Sequence, residues 1–363
     1  MKKLTCLLVC VLLGTGMIIG CAAQAAESTT PEGLKINEKG DILAVNAPKG
    51  DVVTGKAIRI GVSMPIRGEA VWEAYLKGIV DGAAELGNVN LIIQSAQNNA
   101  NEQLQQIENF IAQGVDGIVC SYVDSEAILE AIRKCNEAGV PYIEFSRMLD
   151  GDIGVVDVAY KTSAEVLGMM DAMNDWIVDY SKKVGKKLKM IELMGALNDV
   201  YAVDQRDRLA ATAAKYPDNL EIISQVPGEW NAEKGLSGLQ NALQANPDVD
   251  LIYVHSEFYN AAASSALTGA GRYVKRGEEG HVVFMTSGGS IESINMLKEG
   301  YADVVGCFAA YDVGISTAHA MVALLQGKTL EGTMYEPPAF LVDASNFDEL
   351  APQAYGMKIA DLD

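Results

Sequence analysis

The chain has 363 residues, a formal net charge of −20 at pH 7 and 49% hydrophobic residues. A protein this acidic repels nucleic acid and anionic lipid head groups, so neither is expected as a partner. The hydrophobic content is sufficient for two cores, and the length predicts two domains rather than one.

The amino terminus has the pattern of an export signal. Met1–Lys3 is positively charged, Leu4–Ile19 is apolar, and Gly20–Ala22 supplies small residues around a cysteine. This predicts a secretory signal peptide over residues 1–20, since the apolar run is short of the ~20 residues that span a bilayer. Cys21 also fits the bacterial lipoprotein pattern, so we expect it to carry a lipid that anchors the mature chain on the periplasmic side or the cell surface. The alternative is an ordinary signal peptide followed by a chance cysteine.

Residues 21–56 are predicted to form a lipid-tether linker that connects this anchor to the folded body. Ala22–Thr30 is rich in Ala, Ser and Thr, as a tether should be. The apolar residues between Gly33 and Gly55 are open to two interpretations, a small hairpin or a loosely attached linker.

Apolar periodicity then predicts strands and helices in strict alternation. Three of these helices are followed by Gly87, Gly114 and Gly139, which end a helix in the left-handed conformation without strain. The predicted elements of this first half are the strand Ile58–Met64, helix Ala70–Leu86, strand Leu91–Gln94, helix Glu102–Ala112, strand Asp116–Ser121, helix Ser125–Ala138 and strand Val140–Phe145.

The same pattern restarts after Gly154. Strands that alternate with helices of this length predict βαβ units, parallel sheets and right-handed crossovers. The predicted elements are the helix Ser163–Tyr180, strand Lys187–Met194, helix Val203–Tyr216, strand Leu220–Val226, helix Ala232–Ala245, strand Leu251–Val254, helix Phe258–Gly269, strand Val282–Met285, helix Ile291–Glu299, strand Asp303–Phe308 and helix Gly314–Leu325.

The predicted fold class is therefore α/β, with two doubly wound parallel-sheet lobes joined by a multi-strand hinge near Asp157 to Thr162. A helix after Phe308, followed by a tail, suggests that the chain recrosses between the lobes. We assign residues 57–158 with 309–335 to the first lobe, and 159–308 with 336–363 to the second. Two hinged lobes bind their ligand in the cleft between them.

Polar and aromatic residues follow the strands of the first lobe. Parallel sheets bind ligands at the carboxyl ends of their strands, and Met64–Trp72, Tyr122–Ser125 and Phe145–Met148 all lie at such ends. Trp72 and Arg147 are thus expected on one rim, which predicts a small-molecule site.

No pattern of catalytic or metal-binding residues stands out. The three histidines have no metal-ligand spacing, there is no G-x-S-x-G motif, and most carboxylates are typical of solvated faces. Outside the leader the cysteines are Cys120, Cys135 and Cys307, which have no metal-ligand spacing and are interpreted as buried unpaired thiols. We therefore expect a protein that is not an enzyme and has no metal or cofactor.

Two segments, Ile93–Ala96 and Gln106–Asp116, resemble the periplasmic sugar-binding proteins of ABC importers, the ribose- and xylose-type proteins in particular. The resemblance covers roughly residues 58–330 and implies a type I periplasmic-binding-protein fold, an ABC permease as partner, and a small sugar, sugar derivative or polyol as ligand. Further matching segments are Trp72, Ser146–Met148 where the family usually has Asp-Arg-Met, Trp230 with Asn231–Leu236, and Asn241–Pro247.

The resemblance also implies which residues bind the ligand. Trp72 and Trp230 would cover the apolar faces of a sugar ring from two sides, and Arg147 would donate paired hydrogen bonds. The alternatives are core packing for the tryptophans and a surface salt bridge for Arg147. Further candidates, with their alternatives, are Arg67, Tyr201, Arg206 unless it pairs with Asp204 or Asp207, and Asp124 unless it caps the helix from Ser125.

Four positions depart from the family pattern. Ser146 stands for the usual aspartate, Ser256 for an asparagine, Ser287 within Thr286–Gly289 for a second aspartate, and Phe308 for Gln or Lys. A site with fewer strong hydrogen-bonding groups suits a ligand with fewer hydroxyls, or one with a charge that faces the arginines. We expect a sugar derivative, polyol, sugar acid or other small polar compound rather than a common aldopentose or hexose.

The sequence thus predicts a lipid-anchored substrate-binding protein of an ABC importer that closes its lobes on the ligand. A second interpretation is a ligand-sensing receptor subunit of the same fold that signals to a chemotaxis or sensor-kinase partner. An enzyme is the third class, which a turnover assay would exclude.

Overall fold

The computed structural model describes residues 49–147, 164–328 and 339–360, together with the backbone of short strands at 35–36, 42–43, 160–161 and 334–335. The predicted signal peptide, Cys21 and most of the tether lie outside the described residues, as does most of the predicted junction at Asp157 to Thr162. Strands β1 (Lys35–Ile36) and β2 (Ile42–Leu43) pair antiparallel.

The first lobe is built on a parallel sheet. Its elements in chain order are β3 (Val53–Met64), α1 (Ala70–Glu85), β4 (Gly87–Ser95), α2 (Ala100–Ala112), β5 (Gly117–Cys120), α3 (Ile128–Ala138) and β6 (Tyr142–Glu144). The strand order is β4-β3-β5-β6, and every neighbouring pair is parallel.

The second lobe contains a larger sheet. The remaining elements are β7 (Tyr160–Lys161), α4 (Ala164–Val184), β8 (Leu188–Met194), α5 (Val200–Lys215), β9 (Leu220–Pro227), α6 (Ala232–Ala245), β10 (Leu251–Val254), α7 (Asn260–Gly269), β11 (Val283–Gly288), α8 (Ile291–Glu299), β12 (Val304–Cys307), α9 (Ala310–Leu325), β13 (Met334–Tyr335), β14 (Phe340–Asp343), α10 (Phe347–Leu350) and α11 (Tyr355–Ala360). The strand order is β14-β12-β11-β10-β8-β9, with only β14 antiparallel to its neighbour.

The chain passes between the lobes more than once. After β12 the chain leaves the second sheet, and helix α9 packs on α1 of the first lobe. The chain then returns to the second sheet as strand β14. The two short strands β7 and β13 also pair with each other in parallel. The α1–α9 contact needs glycine, because a Cβ on Gly314 would lie 2.2 Å from the Tyr75 carbonyl oxygen. The domain boundaries given above stay a prediction.

The central strands of both sheets are buried on both faces. In the first lobe, one core cluster contains Ile60, Val62 and Tyr75, and a second contains Phe110 and Ile118 on the other face. The second lobe likewise has two clusters, one on each side of its sheet. Two-sided burial explains why the strands are continuous apolar runs rather than alternating ones. The predicted fold class is confirmed.

The predicted elements differ from the structure mainly at their ends. Helix α9 begins at Ala310 rather than at Gly314, because that glycine serves the close contact with α1 and does not start the helix. Gly139 ends α3 with φ +66°, as predicted. The thiols of Cys120, Cys135 and Cys307 are buried and free, which confirms their interpretation.

Candidate ligand-binding site between the lobes

A cavity of about 70 Å³ lies between the lobes, at the carboxyl ends of both sheets. Its wall includes residues from the loops that follow β3, β4 and β6 in the first lobe, and β8, β9, β10 and β12 in the second. The lining residues are Ile66, Glu69, Val71, Trp72, Tyr75, Asn98, Ser146, Arg147, Val166, Asp199, Tyr201, Trp230, Ser256, Phe258 and Phe308.

One ion pair joins the two lobes inside this cavity. Nη2 of Arg147, from the first lobe, lies 3.1 Å from Oδ2 of Asp199, from the second. The side chains are only 11% and 3% exposed, so water screens the pair little. Asp199 also caps α5, since its Oδ1 accepts a hydrogen bond from the Tyr201 N–H at 3.1 Å. Both lobes therefore fix the position of this carboxylate and its partner.

The Arg147 guanidinium is further held by its own lobe. Its Nη1 donates to the Tyr122 carbonyl oxygen at 2.5 Å, and its carbon lies 5.0 Å from the centre of the Trp72 ring. A second ring, that of Tyr122, lies 5.8 Å away. Such cation–π contacts and the backbone hydrogen bond hold the guanidinium in place before any ligand enters.

Trp230 lies in the second-lobe wall and is equally constrained. Its ring stacks on Tyr259 with centroids 5.8 Å apart and an angle of 16°, and its Nε1 donates to Asp199 Oδ2 at 3.1 Å. The ring lies against the backbone of Gly195, where an added Cβ would be 2.1 Å from Trp230 Cζ2. Only a residue without a side chain fits beneath this indole.

A buried hydrogen-bond chain supports Tyr201 from behind. The Tyr201 hydroxyl is 2.9 Å from Ser287 Oγ, and that hydroxyl donates to the His255 carbonyl oxygen at 2.7 Å. The ring of His255 lies 2.8 Å from Glu192, and both side chains are fully buried. This second layer orients the aromatic side chain that faces the cavity.

Strained backbone is concentrated at the cavity. Among the described residues, those other than glycine with positive φ are Gln97, Asn98, Ser146, Glu229 and Trp230. Three of the five line the cavity, and the other two are their immediate neighbours. Residues held in this region of φ/ψ space cluster at functional sites, which independently marks this cavity as the site.

Glu69 is the remaining ionisable carboxylate of the lining. It is half-buried at the start of α1, and its side chain makes no capping hydrogen bond there. Burial raises the pKa of Glu69 to about 7, although the Arg147 charge opposes that shift. No ion pair of Glu69 is found among the described residues.

Most predicted site residues come together here. Those that line the cavity are Trp72, Ser146, Arg147, Tyr201, Trp230, Ser256 and Phe308. Ser287 instead lies one layer behind, where it is bonded to Tyr201. Whether any of them binds a ligand stays a prediction.

Three further candidates lie outside the cavity lining because local partners hold them. Arg67 pairs with Glu73 through Nε at 2.7 Å, and Arg206 pairs with Asp207 at 2.7 Å. Asp124 accepts hydrogen bonds from the backbone N–H groups at the start of the α3 segment, and its Oδ2 accepts one from Asn198 of the second lobe at 3.2 Å. Asp124 thus holds the turn that precedes α3, which begins at Ile128 rather than at Ser125, and adds a second contact between the lobes.

The sequence interpretation missed two carboxylates, Asp199 and Glu69. Asp199 follows strand β8, so the carboxyl-end rule that identified Arg147 would have found it had it been applied to the second lobe. Glu69 lies between two candidates, Arg67 and Trp72, and had no motif to mark it.

The described residues also bear on metals and membranes. In this part of the chain, no group of three or more His, Cys, Asp or Glu side chains is placed to hold a metal ion. Of the helices that the structure describes, none has the length and apolarity needed to cross a bilayer.

Comparison with known proteins agrees with this geometry. The family described as "Periplasmic binding protein domain" matches residues 60–329. The ribose import binding protein of Bacillus subtilis is 25% identical over 282 residues, which covers 78% of this chain and 86% of that protein.

Solved structures share the fold. A solute-binding protein of an ABC transporter from Bacillus halodurans, solved with bound myo-inositol, has a TM-score of 0.71 at 20% identity and covers 83% of this chain and 100% of its own. A periplasmic solute-binding protein from Actinobacillus succinogenes, solved with bound D-allose, has a TM-score of 0.69 at 22% identity, covering 80% and 99%.

Proposed function

We propose, since this chain belongs to the periplasmic binding protein family, that it delivers a small sugar, sugar derivative or polyol to the permease of an ABC importer. Its relatives are substrate-binding transport proteins rather than enzymes, and the similar proteins named above bind ribose, myo-inositol and D-allose. The chain is accordingly a substrate-binding protein that acts outside the cytoplasm.

The observation that carries this proposal is a cavity whose wall is formed by residues of both lobes. Arg147 comes from one lobe and Asp199 from the other, and they form their ion pair at the cavity wall. An open form would separate these groups, and a ligand that contacts both lobes favours closure by its differential affinity for the closed state. The mechanism is therefore hinge closure around the ligand.

The chemistry of the lining suits a polyhydroxylated compound. Trp72 and Trp230 offer flat aromatic faces for the C–H surfaces of a ring or chain. Ser146, Ser256 and Tyr201, which carry hydroxyl groups, line the same cavity. A lining in which polar groups are set among aromatic and aliphatic side chains is typical of a site that fixes the orientation of one small molecule.

Titration with a panel of sugars, polyols and sugar acids tests the proposal. Tryptophan emission and calorimetry report binding, and small-angle scattering reports closure as a fall in the radius of gyration. We expect Trp72→Ala and Trp230→Ala each to lower the affinity for the bound compound about 30-fold, as is usual when a buried aromatic anchor is truncated. Trp176→Ala is the matched control, because Trp176 stacks on Tyr180 and donates to Asp343 outside the cavity lining.

Two results would count against the proposal. One is a compound that binds Trp72→Ala and Trp230→Ala as tightly as the parent protein. The other is binding without compaction, which would separate ligand binding from hinge closure.

The lipid anchor on Cys21 and the signal peptide over residues 1–20 are part of the same proposal. Metabolic labelling with a radioactive fatty acid tests them. Cys21→Ser should lose the label and appear in the soluble fraction, whereas Cys10→Ser, within the leader, should keep both the label and the membrane location. Equal labelling of the two variants would contradict lipidation at Cys21.

A further inference from the structure

Among the described residues that line the cavity, acidic groups outnumber basic ones. The ionisable side chains of this described lining are Glu69, Arg147 and Asp199, beside the hydroxyls of Tyr75 and Tyr201. Arg147 and Asp199 form an ion pair at 3.1 Å, whereas no residue in the described part of the chain forms an ion pair with Glu69. Arg147 lies near enough to act on Glu69 electrostatically, yet its hydrogen bonds go to Asp199 and Tyr122.

This charge balance alters the expectation drawn from the sequence. A sugar acid would need a free guanidinium, but that of Arg147 is already compensated, and that of Arg67 is paired with Glu73 outside the lining. An anionic ligand would also oppose the ionisation of Glu69, which burial already disfavours, because like charges in a closed cleft repel strongly. The pairing therefore disfavours an anionic ligand.

A positive group would be stabilised from two sides. Ionised Glu69 could accept a charge-assisted hydrogen bond from it. The aromatic side chains of the lining, Trp72, Tyr75, Trp230 and Phe258, offer ring faces that attract a cation. Desolvation already disfavours the charged form of Glu69, so a cation that enters the cavity removes a cost that a neutral ligand leaves in place.

We infer that the ligand carries a protonated amine and that Glu69 is its counter-ion, so that the substrate class is an amino sugar or amino polyol. This inference rests on the proposed function and narrows its ligand. Glu69 is then the residue that sets specificity for charge, while the tryptophans recognise the carbon skeleton.

Matched triads of compounds test this directly, each with a hydroxyl, an amine or a carboxylate on one skeleton. The probes are glucose, glucosamine and glucuronate; galactose, galactosamine and galacturonate; and sorbitol, its 1-amino-1-deoxy derivative and gluconate. Shifts of the thermal unfolding midpoint and calorimetry rank the three compounds of each triad by affinity. We expect an amine member to bind most tightly and the carboxylate member of its triad not to bind.

The variant Glu69→Gln keeps the shape and removes the charge. It should lower the affinity for the amine compound about 30-fold or more, which is the usual loss when one member of a buried charge pair is neutralised. Its affinity for the neutral member should stay within about twofold. Glu73→Gln is the control, since Glu73 lies on the same helix but pairs with Arg67 outside the lining. Unfolding midpoints without ligand establish that both variants are folded.

Several outcomes overturn the inference. One is that a neutral or anionic member of a triad binds more tightly than the amine. Another is that Glu69→Gln leaves the affinity for the amine unchanged. Either result contradicts the counter-ion role of Glu69 without contradicting the transport function. A panel in which no amine binds also overturns it. Failure of the transport function is distinct, because then no compound of any charge closes the lobes in the scattering experiment.

Discussion

Gly195→Ala should disable the binding site while leaving the rest of the fold in place. The added methyl group would lie 2.1 Å from Cζ2 and 2.4 Å from Cη2 of Trp230. Ordinary contact begins near 3.4 Å, so the indole must move by about 1.3 Å. It cannot move without loss, because Tyr259 stacks on the ring and Asp199 accepts its Nε1–H at 3.1 Å.

The magnitude follows from these contacts. Overpacking of this kind costs ~1–3 kcal/mol, and loss of the hydrogen bond to Asp199 adds about 1 kcal/mol. If the indole leaves its position, ligand affinity should fall about 30-fold or more, at ~1.4 kcal/mol per factor of ten. The thermal midpoint should fall by several degrees, at roughly 2–4 °C per kcal/mol for a domain of this size.

Calorimetry and near-ultraviolet circular dichroism measure the two effects. Calorimetry uses the tightest compound of the panel, and circular dichroism reports the environment of the tryptophans. Gly269→Ala is the matched control, because nothing lies within 4 Å of a Cβ at that helical position. An aromatic spectrum and an affinity in Gly195→Ala equal to those of the control would refute the role assigned to the Trp230 position.

Asp199→Asn removes the charge that neutralises the arginine across the cleft, so the closed form should lose ~3 kcal/mol relative to the open form, seen as a larger radius of gyration with ligand present. Gly314→Ala places a methyl 2.2 Å from the backbone of α1 and should lower the free energy of urea unfolding by ~3 kcal/mol, whereas Gly168→Ala, with open space around it, should not. The pKa of His281 is lowered by burial and raised by the hydrogen bond to Asp303, and the net shift is upward. The stabilisation by His281 is then full below its unfolded pKa and lost as pH rises through the folded one, so His281→Gln should lose more stability at about pH 5.5 than at about pH 8.5.

The fold could be predicted because its signals are local. Strands buried on both faces, such as β3, β5 and β10, are continuous apolar runs, and the alternation with helices implies parallel pairing. The antiparallel β14 was not predicted, since an edge strand in a short tail has no partner in the sequence pattern.

The site was predicted less completely, because side-chain competition is not visible in a sequence. Trp72, Arg147 and Trp230 were located by strand ends and by family resemblance. Arg67 was placed with them, but a carboxylate six residues later captures its guanidinium. The sequence position of an arginine does not tell whether the cavity or a neighbouring acid offers the better partner.

The sequence also could not show which predicted residues line the cavity and which lie behind its wall. Ser287 lies near the end of β11 and Tyr201 in the first turn of α5, and the sequence cannot show that the hydroxyl of the first bonds to that of the second. That order depends on the length of the tyrosine side chain and on the buried His255 carbonyl beneath it. Ser287, a predicted ligand contact, therefore lies behind the cavity lining and is bonded to Tyr201, another predicted contact.

Backbone strain shows why these walls keep their shape without ligand. Glu229 and Trp230 have φ of 54° and 49°, and non-glycine residues held in this region cost about 1–3 kcal/mol each. Such a turn persists only where other contacts over-determine it, and here the indole is held by Tyr259, Asp199 and the bare backbone of Gly195. The strain is thus offset by contacts that also orient the ring toward the cavity. The second-lobe wall is accordingly formed before the ligand binds, and binding energy is left for lobe closure rather than for building the site.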